Sequence, residues 1–315
     1  MTYDPKAWVD GECLLAADLN AMEAGTDRAQ GDVMKLFGPT AGLPVTDPLL
    51  EGRLYFESDL LRRVWRDNGA GWDDVTPFAG NGLLNNLIAY WPGNEVAGNA
   101  LDLHTNALHL TDINTVTSNP GLVYPLARQY TLANLEYHTR AHEALLAAGD
   151  IDFTLAAWVR TDTMPPGAAY AVMDKYAAPN GYAIQILGFG IDRFHFEIFN
   201  GVSVGTINAV TLGLPVVNTW YLIVAWHDSV ANTVSIQADN GIVDSAATTG
   251  VPADSGGAFG LGARAPGANH YYWNGRIGPS MFWKSVAGAG GVLTVAQRTA
   301  LWNGGAGLTY AAFTV

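Results

Sequence analysis

Cysteine is nearly absent: the 315 residues contain one, Cys13, so no intrachain disulfide can form and the fold does not rely on oxidation in an export compartment. Charge is scarce too. Only 14% of the residues are charged, and 16 Lys and Arg stand against 29 Asp and Glu, for a formal net charge of −13. No Lys/Arg cluster offsets that balance, which argues against general nucleic-acid binding, an activity that needs a cationic face to displace counterions from phosphate. No apolar run reaches the roughly 18 residues of a membrane-spanning helix. The opening MTYDPKAWVDGE also lacks the basic and apolar parts of a secretion signal. The expectation is a soluble chain folded in the cytoplasm, with no membrane insertion.

What is abundant points to β-structure. Glycine (36) and tryptophan (10) are frequent, a balance that suits a large sandwich with many turns better than a helical protein. The length exceeds the roughly 100 to 200 residues of one ordinary domain, and three regions differ in character.

Residues 1–40 carry apolar or small side chains at Leu15, Leu19, Met22, Thr26, Ala29, Val33 and Leu36, steps of four and three that keep one seam along a helix. Phe37-Gly38-Pro39 ends it. Leu15, Leu19, Met22, Ala29, Val33 and Leu36 are therefore expected to drive self-association. Residues 41–82 hold turn signals at Asp47-Pro48 and Asp67-Asn68-Gly69 around two alternating runs, Arg53 to Phe56 and Arg62 to Arg66, which read as a small β-hairpin unit. From residue 83 to 315 strand-like runs recur between Asn/Gly turns: 87–91, 153–160, 170–175, 182–187, 194–199, 220–226, 233–238, 258–262 and 271–283. This pattern predicts an antiparallel β-sandwich. One late helix is predicted at LTVAQRTALWNGG, with Thr294 capping it and Val295, Thr299 and Trp302 on its apolar face.

The ordered series Ala89-Tyr90-Trp91-Pro92, Phe153 to Val159, Thr219 to Trp226, Phe259-Gly260-Leu261-Gly262 and Trp273 to Ile277 resembles the laminin-G-like, concanavalin-A-type jelly-roll family over roughly residues 87–310. In this reading Trp158 and Trp220 are core residues, not sugar platforms. The opening, through Trp8-Val9, Gly11-Glu12 and Ala16 to Asn20, resembles the N-terminal segment of tailed-bacteriophage virion proteins. Residues Gly52 to Phe56 and Arg66 to Gly69 resemble a small β module of phage fibre proteins. Together these resemblances imply a virion appendage, assembled in the host cytoplasm as a homotrimer. Its residues 1–80 would dock to other virion proteins, and its jelly roll would be displayed for host-surface glycans. A purely structural decoration protein and a glycan hydrolase are the alternatives.

Catalysis is not expected, because hydrolases of this fold use two facing carboxylates, and Glu197 is the only acid in the runs 194–199 and 220–226. His138 and His142 do not follow a zinc-binding order. The laminin-G resemblance implies calcium at the rim, with Asp102 the matching acidic ligand. Gly278-Pro279 replaces a further acidic pair, however, and Asp102 reads equally as a turn-stabilising side chain. The surface best suited to sugars is the loop carrying Arg264, Asn269, His270 and Tyr271, where polar tips adjoin aromatics.

Overall fold

A computed structural model describes residues 80–264, 271–285 and 290–314, together with the backbone of four short strands among residues 1–79. The chain divides into two compact units, Met1–Ala79 and Gly80–Val315.

In the first unit, β1 (Lys35–Phe37), β2 (Leu54–Glu57), β3 (Val64–Asp67) and β4 (Trp72–Asp74) lie side by side in chain order. The hairpin expected near residues 53–66 is the antiparallel β2–β3 pair, with Tyr55 opposite Trp65. One expectation is corrected here. Leu36 does not close a helical seam: Lys35–Phe37 is extended and pairs in parallel with Tyr55–Glu57, so its peptide groups bond to a neighbouring strand instead of to the preceding turn. Leu15, Leu19, Met22, Ala29 and Val33 lie outside the described residues.

The second unit contains β5 (Leu87–Trp91), β6 (Thr111–Ile113), β7 (Thr117–Pro120), β8 (Leu126–Tyr130), β9 (Tyr137–Arg140) and β10 (Phe153–Thr161). It continues with β11 (Ala169–Ala177), β12 (Asn180–Leu187), β13 (Arg193–Asn200), β14 (Val202–Asn208) and β15 (Trp220–Asp228). Then come β16 (Thr233–Ala238), β17 (Asp244–Ala247), β18 (Phe259–Leu261), β19 (Gly275–Lys284) and the helix α1 (Val295–Trp302). Eight strands form one sheet, ordered β17-β16-β15-β10-β19-β8-β7 with β5 also on β19, and seven form the other, ordered β14-β13-β12-β11-β18-β9-β6. All the pairings in both sheets are antiparallel.

Alternation explains how the sheets meet. In β10 and β15, Phe153, Leu155, Ala157, Val159, Ile223 and Ala225 share a buried cluster with Ile184, Phe196, Ile198 and Met173 from the opposite sheet. Every second residue therefore points between the sheets. Burying the Val, Leu, Ile, Phe and Met side chains among them contributes roughly 1.5 to 3 kcal/mol each.

The intervening residues of the eight-stranded sheet point away from that core and meet a second apolar layer. Tyr90, Ala156, Trp158, Leu222, Val224, Met281 and Trp283 pack with Leu83, Leu293, Leu301 and Phe313. Trp158 stacks on Trp302 with ring centroids 5.4 Å apart, and the Trp283 indole N–H donates to the Leu83 carbonyl at 2.8 Å. Trp158 is thus core, as expected, and Trp220 packs on the edge of the same cluster while half-buried.

Helix α1 lies over this layer. Its start is a capping box: the Gln297 amide donates to the Thr294 hydroxyl at 3.2 Å, and the Thr294 amide donates to the Gln297 side-chain oxygen at 2.8 Å. The expected apolar face needs correction. Val295 is 68% exposed and Thr299 is exposed, whereas Arg298 and Leu301 are buried. A period of 3.6 from Leu301 selects Arg298, not Val295. Arg298 is tolerated there because its Nε donates to Gln237 at 2.8 Å and its guanidinium sits 4.5 Å from the Trp226 ring centroid.

Candidate functional site in the seven-stranded sheet

The same alternation gives the outward face of the seven-stranded sheet a different chemistry. Tyr182, Ile184 and Ile186 of β12, and Phe194, Phe196 and Ile198 of β13, point into the core, so Ala183, Gln185, His195, Glu197 and Phe199 point outward. The ladder aligns them in rows. Asp174 faces Ala183, which faces Glu197. Gln185 faces His195, which faces Asn208. Tyr176 faces Gly181, which faces Phe199.

Small residues shape this surface. Gly181 has φ +138, and a Cβ there would run into the Lys175 carbonyl oxygen. Having no side chain of its own, it lets the Tyr176 and Phe199 rings meet across it, edge to face at 4.9 Å. Ala183 leaves a shallow floor between Asp174 and Glu197, whose backbones stand about 10 Å apart across two strand spacings.

Arg264 bridges onto this floor from the segment after β18. Its Nε donates to Asp174 Oδ2 at 2.8 Å, and its guanidinium carbon lies 4.5 Å from the Tyr176 ring centroid and 4.8 Å from that of Tyr271. Asp174 is completely buried. Burial is the main cause that pushes its carboxyl up to about 6, Arg264 opposes the shift, and the nearby Glu197 adds to it. On the neighbouring row, the His195 Nδ1–H donates to Asn208 at 2.9 Å, and its Nε2 lies 3.6 Å from Glu197. Two buried acceptors are left over: Asp174 Oδ1 and Gln185 Oε1 have no hydrogen-bond partner among the described residues. Native folds rarely leave buried acceptors unpaired without a reason.

Of the four residues expected to bind sugar, the structure brings Arg264 and Tyr271 together on this face, while Asn269 and His270 lie outside the described residues. Asp174, Tyr176, Gln185, His195 and Phe199 were not picked out from sequence. A signal for two of them, His195 and Gln185, was present. In FHFEIF the polar His195 and Glu197 alternate with Phe194, Phe196 and Ile198, and Gln185 sits likewise between Ile184 and Ile186. An interior strand with polar residues at every second position has one face that is not core.

The rim position expected to hold calcium does other work. Asp102 is 5% exposed, and its Oδ1 accepts from the amides of Tyr90 at 2.9 Å and His104 at 2.8 Å. Its Oδ2 accepts from the amide of Leu108 at 2.8 Å. It is the loop-stabilising side chain of the alternative reading. A calcium cradle needs six to eight oxygens, and among the described residues no three or more acidic, His or Cys side chains converge anywhere. The residues around Asp102 do not fit the ion. His138 and His142 also stay apart. His138 bonds to Tyr130 at 2.9 Å and to Arg128 and Gly98, with burial holding it down at about 4. His142 instead meets the buried Lys175 at 3.3 Å.

Two packed antiparallel sheets with this alternation, and one short helix near the C-terminus, define a concanavalin A-like β-sandwich. A family model described as the concanavalin A-like lectin/glucanases superfamily matches residues 136–290, which include every residue of the outward face described above. No curated protein matches the chain. Among solved structures, the binding domain of Paraclostridial Mosquitocidal Protein 1 superposes with a TM-score of 0.54 at 13% identity, over 70% of this chain and 52% of that one. Domain 4 of AbnA, an extracellular arabinanase from Geobacillus stearothermophilus solved with arabinotriose, gives 0.47 at 13% identity, over 68% of this chain and 97% of that one. A Trypanosoma rangeli sialidase gives 0.47 at 12% identity, over 69% and 33%. The chain thus spans about half of the mosquitocidal binding domain and a third of the sialidase. At such identities the likeness is one of fold.

Proposed function

We propose that the sandwich is a carbohydrate-recognition module, that its ligand lies across the outward face of the seven-stranded sheet, and that it binds without turnover. The observation that carries this reading is the grouping of the half-buried Tyr176, Phe199 and Tyr271 rings around Arg264, on the same sheet face as the half-buried carboxylate of Glu197. Sugars present hydroxyl donors along their edges and C–H surfaces on their faces, and this array complements both. The match to a lectin and glucanase superfamily supports carbohydrate as the ligand class and is neutral on turnover. The setting we propose is a phage virion appendage that docks through residues 1–80, and its support is the N-terminal sequence resemblance. A panel of immobilised glycans probed with the full chain tests the reading. At least one glycan binds, and Tyr176→Ala weakens that binding about tenfold, in line with the ~1 to 3 kcal/mol that an aromatic stack or a hydrogen bond to a charged group contributes. Failure of every glycan to bind overturns it.

A second reading, hydrolysis, has one specific observation in its favour. The paired carboxylates missing along any single strand are present across strands, with Asp174 and Glu197 flanking Ala183 and Asp174 held near 6. Against it, Asp174 is fully buried and one of its oxygens already holds Arg264. Release of new reducing ends from a bound glycan, abolished by Glu197→Ala, would replace the first reading with the second.

A further inference from the structure

Beyond the apolar layer under α1, the outer face of the eight-stranded sheet ends in one polar row. Val159, Ile277, Tyr221 and Tyr130 point into the core, so their neighbours Arg160, Arg276, Trp220 and Gln129 point outward. The ladder sets these four opposite one another in the order Trp220, Arg160, Arg276, Gln129. Two arginines thus start about 5 Å apart on adjacent strands, a placement that repels. What holds the pair is mostly neutral. Arg276 Nε donates to the Gln129 side-chain oxygen at 3.2 Å and its Nη1 to the Pro120 carbonyl at 3.0 Å, while Arg160 Nη2 donates to the Asn218 side chain. One acid takes part: Asp162 Oδ1 lies 3.5 Å from Arg160 Nη2, and its Oδ2 accepts from Gln129 at 3.1 Å. Asp239, on the strand side beyond Trp220, is turned to the Leu222 amide at 2.8 Å. Partial burial and the charge of Arg160 hold the Arg276 guanidinium below its usual pKa, with Asp162 opposing.

Donors are left over. Arg160 Nε and Nη1 and Arg276 Nη2 have no partner among the described residues, and all three reach solvent. Two planar cations fixed by neutral acceptors, sharing one carboxylate and keeping outward N–H groups, are preorganised for an oxyanion. The half-buried Trp220 ring beside Arg160 adds an apolar surface of the kind a sugar ring covers. We propose that Arg160 and Arg276 form a second site, separate from the seven-stranded face, that takes the carboxylate or sulfate group of an acidic glycan.

The test titrates the full chain with galacturonate oligomers, sulfated galactose oligomers and neutral galactose oligomers of matched length, by calorimetry at low salt. At least one acidic series is expected to bind about tenfold more tightly than the neutral one, and which of the two does so identifies the anion. Arg160→Gln and Arg276→Gln, each with its fold checked by circular dichroism, are each expected to weaken acidic binding about tenfold, as loss of a charge-assisted hydrogen bond does. Tyr176→Ala, on the other sheet, is expected to leave acidic binding unchanged. Acidic oligomers that bind no more tightly than neutral ones overturn the proposal, as does acidic binding that survives both arginine substitutions. Acidic binding lost in Tyr176→Ala and kept in the arginine variants also overturns it, while leaving the reading of the seven-stranded face intact.

Discussion

The two outward faces of the sandwich are built by one rule and end in opposite chemistry. Both obey strand alternation, so each β-strand gives half its residues to the shared core and half to its own outer surface. On the eight-stranded sheet those outer residues include Tyr90, Trp158, Trp226 and Trp283, sealed beneath α1 and the segments carrying Leu83 and Phe313. On the seven-stranded sheet they are Asp174, Gln185, His195 and Glu197, with Tyr176 and Phe199 beside them. A sheet with two apolar faces is a middle layer and contributes to stability on both. A sheet with one apolar face and one of buried, incompletely paired polar groups gives up stability on the second, and such concessions mark functional surfaces.

The largest expected effect breaks the sealed side. Trp158 is 2% exposed and stacks on Trp302, so Trp158→Ala loses both the area and the lid contact. It is expected to lower the unfolding free energy by about 3 to 5 kcal/mol in urea titration. The same truncation at half-buried Phe199 on the other face should cost far less and should act on glycan binding. If the two substitutions cost equally, the division between a stabilising face and a binding face fails.

A smaller effect sharpens the contrast through pH. Asp174 is held up near 6 against a value near 3.9 in the unfolded chain. The folded state therefore keeps its proton more tightly, so this group's contribution is fully present below about pH 4 and is lost as pH rises through about 6, a change on the order of 2 to 3 kcal/mol. The charged groups that act on it are Arg264 and Glu197. Asp239, also held up near 6, acts in the same direction, so the informative quantity is the difference from Asp174→Asn. The stability of the wild type relative to that variant should decline between pH 4 and 6.5. A flat difference would mean that the polar face holds no strained carboxyl.

How legible each face was in the sequence follows from the same contrast. The long strands β10, β12, β13, β15 and β19 show in the sequence because their alternation involves Trp, Phe, Ile and Val at every second position. The capped helix shows because Thr294 and Gln297 stand three apart. Six strands of the sandwich escaped. β6, β7 and β17 read TDI, TSNP and DSAA, edge pieces whose pairing comes from neighbours and not from their own composition. β8, β9 and β14 carry mixed polar residues that matter only once the ladder exists. The floor of the candidate site was hidden for a related reason. Asp174 and Glu197 are 23 positions apart, and only the β11-β12-β13 register sets them in one row. Arg264 and Tyr271 were visible because both flank one loop. Leu36 misled because a four-three spacing of apolar residues also runs through a short strand next to Gly38-Pro39.

The smallest effect concerns the lid itself. Helix α1 has eight residues, too few to hold itself in water, so its order depends on the capping box and on what lies beneath it. Thr294→Ala removes the hydroxyl that accepts from the Gln297 amide at 3.2 Å, and such a loss ordinarily costs about 1 kcal/mol. Gln297 also ties the helix to the Gly82 carbonyl at 2.8 Å, so Gln297→Ala should cost at least as much and should loosen residues 82 to 84 along with the helix. Amide exchange separates the two outcomes: Thr294→Ala speeds exchange in α1 alone, Gln297→Ala in α1 and at Leu84, whose amide donates to Thr314. Neither substitution should change glycan affinity, because the helix covers the sheet opposite the proposed glycan face. A change in affinity from either would show that the two faces are coupled through the core they share.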